Sequence, residues 1–367
     1  MHADARVRPI QGALLHLESQ RVATRHGVFR VEVLRDLAAR RHVLVLVRGD
    51  VRTSQPLLAC IHVACTASEC MAGCDCDCAE RLDAALASMA AEGRGILFYL
   101  MQEGRGAGIS AAARGRMVVQ ASRGNITRAE AYDFLGLDRS FAGGEPIRFA
   151  RRLLGVTAPL RLLSDDVEQA AALEAQGVAL AGVVPVRAAS GAARTLELPE
   201  EVVYFDPHPL PDAPRFLRMA SHLLPVRVAA GEEPLWFRLH AYLDRESDLE
   251  RCVLTHGGLR EPLLRVQRDA LLDRLAPEAR RGWPSAARSI AAHGAGCAVF
   301  LPAQLAGQGP ALPDEAALAL LAHHVKGRRA RLVVDAPGAA AVELACAEAL
   351  RRRGISLDAP LVLGDAS

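Results

Sequence analysis

Residues 60–78 read C-I-H-V-A-C-T-A-S-E-C-M-A-G-C-D-C-D-C, and residues 96–110 read I-L-F-Y-L-M-Q-E-G-R-G-A-G-I-S. The first stretch holds six of the nine cysteines and ends in the alternating run Cys74, Cys76, Cys78. Packing asks for no such density; thiols at this spacing suit a tetrahedral zinc ion. Leu57–Val63 is an apolar strand leading into the cysteines. From Cys78 to Glu92, the positions Leu82, Ala85, Leu86 and Met89 fall on one helix face, and Gly93 stops the helix. Ile96–Met101 is the next strand, and the glycine-punctuated loop at its carboxyl end is where catalytic groups are commonly presented.

Working outward, Val28–Leu34 alternates as a strand and His42–Val47 is a continuous β-branched run. Residues 1–25 read as a polar leader with one short amphipathic piece over 13–22. Downstream, helices are expected over 111–120, 127–135, 146–154 and 167–176, the second opened by the capping box Thr127-Arg-Ala-Glu130. Strands are expected over 160–163 and 178–184. The alternation gives an α/β fold, a mixed sheet flanked by helices. The proline- and acid-rich segment 199–214 reads as a linker or surface loop.

The remainder repeats this pattern. Trp236-Phe-Arg-Leu-His-Ala-Tyr242 follows Val28-Phe-Arg-Val-Glu-Val-Leu34, and Ile290–Leu301 matches Met89–Leu100 without a gap. Glu261-Pro-Leu-Leu follows Gln55-Pro-Leu-Leu with a one-residue slip, and Ala330-Arg-Leu-Val-Val-Asp335 follows Leu160-Arg-Leu-Leu-Ser-Asp165. The expected organisation is a tandem duplication, residues 1–224 and 225–367. The second copy keeps the apolar skeleton but has no cysteine cluster, and P-A-Q-L-A follows Leu301 where the first copy has M-Q-E-G-R. It reads as a structural partner of the first.

At 367 residues, 51% hydrophobic and 23% charged, the chain has a soluble globular composition with room for two domains. A net charge of +2 gives no basis for a nucleic-acid partner, and Lys326 is the single lysine, which excludes a lysine-bearing phosphate loop. With no apolar leader and no apolar run of about 18 residues, a cytoplasmic protein without membrane attachment is expected. In that reducing setting clustered thiols bind metal rather than form disulfides. Cys252, Cys297 and Cys346 stand singly in apolar settings and read as core.

The pattern H-x-x-C, ten residues, C-D-C, then Q-E-G-R-x-x-G-I is met here by His62 to Cys65, Cys76-Asp77-Cys78, and Gln102-Glu103-Gly104-Arg105 through Gly108-Ile109. It resembles GTP cyclohydrolase II of riboflavin biosynthesis, over about 24–224. The resemblance implies that fold, and Zn2+ held by Cys65, Cys76 and Cys78 with the fourth position left to water. It also implies hydrolytic opening of the imidazole ring of a guanine nucleotide, with loss of formate and release of pyrophosphate. Carried over by motif, Asp138 is the candidate base and Arg139 the phosphate-contacting or covalent group. Glu103, Gly104 and Arg105 would position substrate, and Ser164 stands at a substrate-side position. Arg81 and Arg116 replace a family glutamine and tyrosine and, with Arg114, are read as replacement phosphate contacts. Mg2+ accompanying the nucleotide is a further cofactor to consider. Family enzymes are homodimers, so the expected assembly is a homodimer or a pseudo-dimer within one chain.

The departures point away from the housekeeping enzyme. The family's T-N-N-P-x-K becomes Ser164-Asp165-Asp166-Val167-Glu168-Gln169, placing three acids where a triphosphate needs cationic and N–H donors. His62 is read either as support for a ligand or as a packed core histidine. Two rival readings stand beside the cyclohydrolase. One is a non-catalytic zinc scaffold whose site Cys70 or Cys74 closes; the other is a cyclohydrolase acting on a different heterocycle.

Overall fold

β2 (Gly27–Asp36), β3 (Arg41–Arg48), β4 (Leu57–Val63) and β5 (Gly95–Leu100) form where β-branched and aliphatic residues run together, and most of their side chains are buried. The computed structural model describes residues 14–38, 41–101, 107–137, 144–186, 197–267, 275, 282–301, 314–335 and 340–363. Glu103, Gly104, Arg105, Asp138 and Arg139 lie outside the described residues. With β1 (Leu14–Thr24), β6 (Leu160–Leu163) and β7 (Leu180–Val184) these strands make a mixed sheet in the order β1-β2-β3-β5-β4-β6-β7. Pairing is antiparallel from β1 to β5 and parallel from β5 to β7.

A second mixed sheet follows: β8 (His208–Leu210), β9 (Ala213–Val226), β10 (Leu235–Asp244), β11 (Leu249–Gly257), β12 (Leu263–Gln267), β13 (Ala295–Phe300), β14 (Arg329–Val334) and β15 (Ser356–Val362). Its order is β8-β9-β10-β11-β13-β12-β14-β15. Leaving out β8, order and direction are those of the first sheet, with three antiparallel pairings followed by three parallel ones. The close approaches repeat as well. A Cβ on Gly49 would lie 2.2 Å from the Gly93 carbonyl oxygen, and one on Gly257 would lie 1.9 Å from that of Gly294, so both turns admit only glycine. Leu264 pairs with Cys297 where Ala59 pairs with Ile96, which is the one-residue slip seen in the sequence.

The helices are α1 (Thr66–Glu69), α2 (Cys78–Glu92), α3 (Ile109–Ala121), α4 (Arg128–Phe134), α5 (Gly144–Leu154), α6 (Val167–Ala175), α7 (Trp283–His293), α8 (Glu315–His324) and α9 (Ala340–Arg352). α2 buries Leu82, Ala85, Leu86 and Met89, the four expected positions. α4 opens on the expected capping box. No described helix is long and apolar enough to cross a membrane.

The chain divides into two compact units that interleave along the sequence. One comprises the described parts of Met1–Ala64, Ala79–Gly106 and Ser140–Gly191; the other, those of Cys65–Cys78, Ala107–Arg139 and Ala192–Ser367. In the first unit, Ile147, Leu154 and Leu173 from α5 and α6 pack on Val45, Phe98 and Leu162. The second unit has a core on each face of its sheet. Phe237, Leu239 and Ala241 of β10 meet Met117 of α3 and Trp283 and Ile290 of α7, while Tyr242 lies with Leu320 and Leu321 of α8. The two-residue period of a strand sends alternate side chains of β10 into the two cores, each fully buried large side chain contributing about 2 kcal/mol.

Two expectations are corrected. Residues 14–24 are a strand rather than part of a leader: a hairpin through Thr24–Gly27 pairs β1 with buried β2, so partner pairing supplies what its own polar sequence lacks. The segment 199–214 is not only a linker, because Val202 and Leu210 are buried and β8 pairs with β9. Residues 224 and 225 both lie within β9, which pairs with β10 from Phe216 to Val226.

Candidate metal centre

The chain leaves β4 at Val63 and caps α1 with Cys65. The cap uses no side chain of its own. Instead Glu69, fully buried, reaches back to accept the Cys65 backbone N–H at 2.7 Å, while the Glu69 N–H donates to the Cys65 carbonyl at 2.8 Å. This fixes the Cys65 backbone without engaging its thiol. Beyond α1 the chain passes through Ala72, at φ 56°, and Gly73, where a Cβ would lie 2.7 Å from both the Ala67 carbonyl oxygen and Leu224. It then runs alongside β9, the Cys74 N–H donating to the Pro225 carbonyl at 2.9 Å, before Cys78 starts α2.

The Sγ atoms of Cys65, Cys76 and Cys78 converge within 4.8 Å of one another, and Cys65 and Cys76 lie 3.8 Å apart. A tetrahedral ion with metal–sulfur bonds of about 2.3 Å has sulfur–sulfur edges of about 3.8 Å, so the residues fit a zinc-like ion. Cys70 and Cys74 do not join the set, which among the described residues is the one such cluster. None of the nine cysteines is in a disulfide.

Arg116 of α3, buried, lies against this triad. Its Nη2 is 3.7 Å from the Cys65 sulfur and 3.6 Å from that of Cys76, and its Nε donates to Asp75 Oδ2 at 2.6 Å. Arg128 stands 3.9 Å from the same carboxylate oxygen. Hydrogen bonds from Cys65 and Cys78, with the Arg116 charge, hold the Cys76 thiol far below its ordinary value. Cys65 is pushed up to about 12, chiefly by its hydrogen bond to Cys76, and Cys78 is raised by its bonds to both. Three sulfurs so close share one negative charge, whereas a central dication favours ionisation of all three. A dication held by three thiolates would leave one negative charge beside the Arg116 guanidinium. Isolated Cys60, by contrast, is raised to about 12 by burial.

Arg116, read from the sequence as a phosphate contact, lies against the sulfurs and Asp75. Arg81 and Ser164 belong to the other compact unit. Arg81 pairs with Asp165 at 2.8 Å. The Ser164 hydroxyl donates to Gln169 at 3.0 Å and accepts from the Asp166 N–H at 3.0 Å. The Asp165 carboxylate also accepts the Val186 N–H, and Asp166 caps α6 through the Gln169 N–H, so both acids have structural partners. His62 stacks on Tyr99, ring centroids 5.4 Å apart.

Sequence reasoning missed Asp75, Glu69 and His222. The first two are interleaved with the cysteines and were legible as acids beside thiols; His222 carried no signal. It is fully buried on β9, its Nδ1 bonded to the Leu223 carbonyl at 3.0 Å and its Nε2 without a partner. Burial first, then the Arg116 charge, lowers it to about 4.

The family model for GTP cyclohydrolase II matches residues 16–185, a narrower span than the 24–224 expected at its carboxyl end. The GTP cyclohydrolase-2 of Azotobacter vinelandii is 30% identical over 175 residues, 48% of this chain and 82% of that protein. That of Saccharophagus degradans is 29% identical over 46% of this chain and 83% of its own length. The riboflavin biosynthesis protein RibBA of Bacillus velezensis is 34% identical over 165 residues, 45% of this chain but 40% of that protein. A solved two-domain 3,4-dihydroxy-2-butanone 4-phosphate synthase from A. baumannii aligns at 17% identity over 43% of this chain and 36% of that one, with a TM-score of 0.25.

Proposed function

The chain belongs to the GTP cyclohydrolase II family, and from that premise we propose that it hydrolytically opens a ring of a purine nucleotide at a zinc ion held by Cys65, Cys76 and Cys78. The observation carrying this reading is the convergence of those three sulfurs, and no fourth described cysteine, within 4.8 Å. Three protein ligands are the pattern of catalytic zinc, four that of structural zinc. When bound, such an ion supplies Lewis acidity toward water at neutral pH. Arg116 offsets the surplus thiolate charge and fixes the Cys65 and Cys76 sulfurs, while Asp75 fixes Arg116. Glu69 holds the Cys65 backbone. Glu103, Gly104 and Arg105 orient the substrate; Asp138 takes up a proton and Arg139 contacts phosphate.

The substrate is GTP or a relative bound in a way that diverges from the housekeeping enzyme. The structural ties of Asp165 and Asp166 support this, because their carboxylates are built into the fold where the family has amides. The thiols, none in a disulfide, fit a reducing cytoplasm. The chain is a tandem duplication and works as a pseudo-dimer, its repeat opening at β9 rather than at 225; the matching strand orders and the Gly49 and Gly257 turns support this.

Zinc-replete protein incubated with a panel of purine nucleotides tests the proposal. Loss of the intact purine chromophore with stoichiometric formate is expected for at least one member. A panel left unchanged by metal-replete protein contradicts it.

A further inference from the structure

The segments that carry the sulfurs and Arg116 are seated on residues well outside the stretch matched by the family model. Only the first part of β9 is covered by β8, through pairs at His208, Pro209 and Leu210. Its remaining edge presents main-chain groups at residues 219, 221, 223, 225 and 227, and each meets a group from residues 72–120. The Met219 carbonyl accepts from Arg114 at 3.2 Å, and the Ser221 N–H donates to the Met117 sulfur at 3.5 Å. Leu223 exchanges two bonds of 2.8 Å with the Gln120 side-chain amide, which stands in for a neighbouring strand. The Pro225 carbonyl accepts from the Cys74 N–H, and the Arg227 N–H donates to the Ala72 carbonyl, both at 2.9 Å. An open strand edge is thus completed by the metal-bearing segment, as an added peptide strand completes a sheet.

Two side chains reinforce this seat. The Trp283 indole N–H, fully buried at the start of α7, donates to the Met71 carbonyl at 2.8 Å, in the turn between Cys65 and Cys76. Both Glu250 carboxylate oxygens accept backbone N–H groups at the start of α3, Ile109 at 2.7 Å and Ser110 at 2.9 Å. A carboxylate there satisfies two donors that a helix start leaves open and suits the positive end of its dipole. Arg116 sits two turns further along that helix.

We propose that Glu250 and Trp283 are positioning residues for the metal centre. Glu250 sets α3, and through it the guanidinium on the sulfurs; Trp283 sets the turn between the ligands. The second sheet is then a working part of the site, although it supplies no ligand. This inference rests on the metal-centre reading above.

Full-length protein loaded with Co2+ tests it. Thiolate-to-cobalt charge-transfer and d–d bands report ligand geometry, and competition with a chelator reports affinity. Trp283→Phe keeps the ring and deletes the N–H; Glu250→Gln leaves a single acceptor oxygen. Each should shift the d–d bands and weaken metal binding about tenfold, the usual scale for groups that orient ligands. Tyr242→Phe, which removes a hydroxyl bonded to His324 on the opposite face of the same sheet, should lower stability and leave both readouts unchanged. Wild-type spectra and affinity in Trp283→Phe and Glu250→Gln overturn the inference, as do equal changes in all three variants. Wild-type protein that gives no thiolate–cobalt band overturns the metal-centre reading itself, and this inference with it.

Discussion

β1 ends its sheet with Leu15 46% and Leu17 48% exposed, whereas β9, at the matching place beside β10, has Leu223, Leu224 and Val226 buried. The strands hold equivalent positions in sheets of the same order, and the difference between them is the cover of β9. The segment that bears the thiols lies on β9, while β1 is left to a polar, exposed sequence. Chemistry and scaffold are thus not divided between the two sheets in the simplest way. The cysteines come from the stretch after β4, but the main chain that orders them belongs to β9.

The largest effect that sharpens this contrast is at the sulfurs. Cys76→Ser should abolish stoichiometric zinc binding and ring-opening activity while the fold persists, measured by metal analysis and formate release; retained metal would remove Cys76 from the set. Next is a charge at equivalent edges. Leu224→Arg places an uncompensated guanidinium at a fully buried site and should cost about 4 kcal/mol in urea unfolding.

Acid should act on the second unit. His222, His240 and His324 are buried, and burial lowers His222 to about 4, His324 to about 3 and His240 well below 6.5. Around His324 and His240 stand His323, Arg218, Arg238, Lys326 and Asp212, mostly of the same sign. The unfolded chain takes up these protons below pH 6.5 and the folded chain does not. Stability is therefore full above 6.5 and falls as pH drops toward 4, by on the order of 3 kcal/mol each for His222 and His324, with His240 acting in the same direction. Trp236 and Trp283, the two tryptophans, both belong to this unit, so the fluorescence urea midpoint should fall between pH 7 and pH 5. A constant midpoint contradicts the assignment.

Arg116→Ala should lower metal affinity and turnover about 10- to 100-fold, read by chelator competition and formate release. The smallest effect is expected at β1, where Leu17→Arg should change stability by less than about 0.5 kcal/mol, against the large cost at Leu224. Similar costs at the two positions would erase the contrast between the edges.

The sequence made the first sheet's inner strands legible because β3, β4 and β5 are buried on both faces and read as unbroken apolar runs. α2 was legible from the spacing of Leu82, Ala85, Leu86 and Met89, and α4 from Thr127 and Glu130. β1 was not, since its stability comes from pairing with β2 and its own pattern is polar. The thiol triad was legible because its three cysteines lie within fourteen residues of one another. The place of Arg116 against two sulfurs was not legible, because chain spacing cannot say which groups a guanidinium forty residues on will face. Glu250 and Trp283 carried no signal at all, because their partners are backbone groups far away in sequence.

X-ray absorption at the zinc edge of metal-replete protein tests the central claim most directly. The account predicts one zinc per chain with three sulfur neighbours at about 2.3 Å and one lighter oxygen or nitrogen neighbour. Four sulfurs, or protein that retains no zinc, would contradict it.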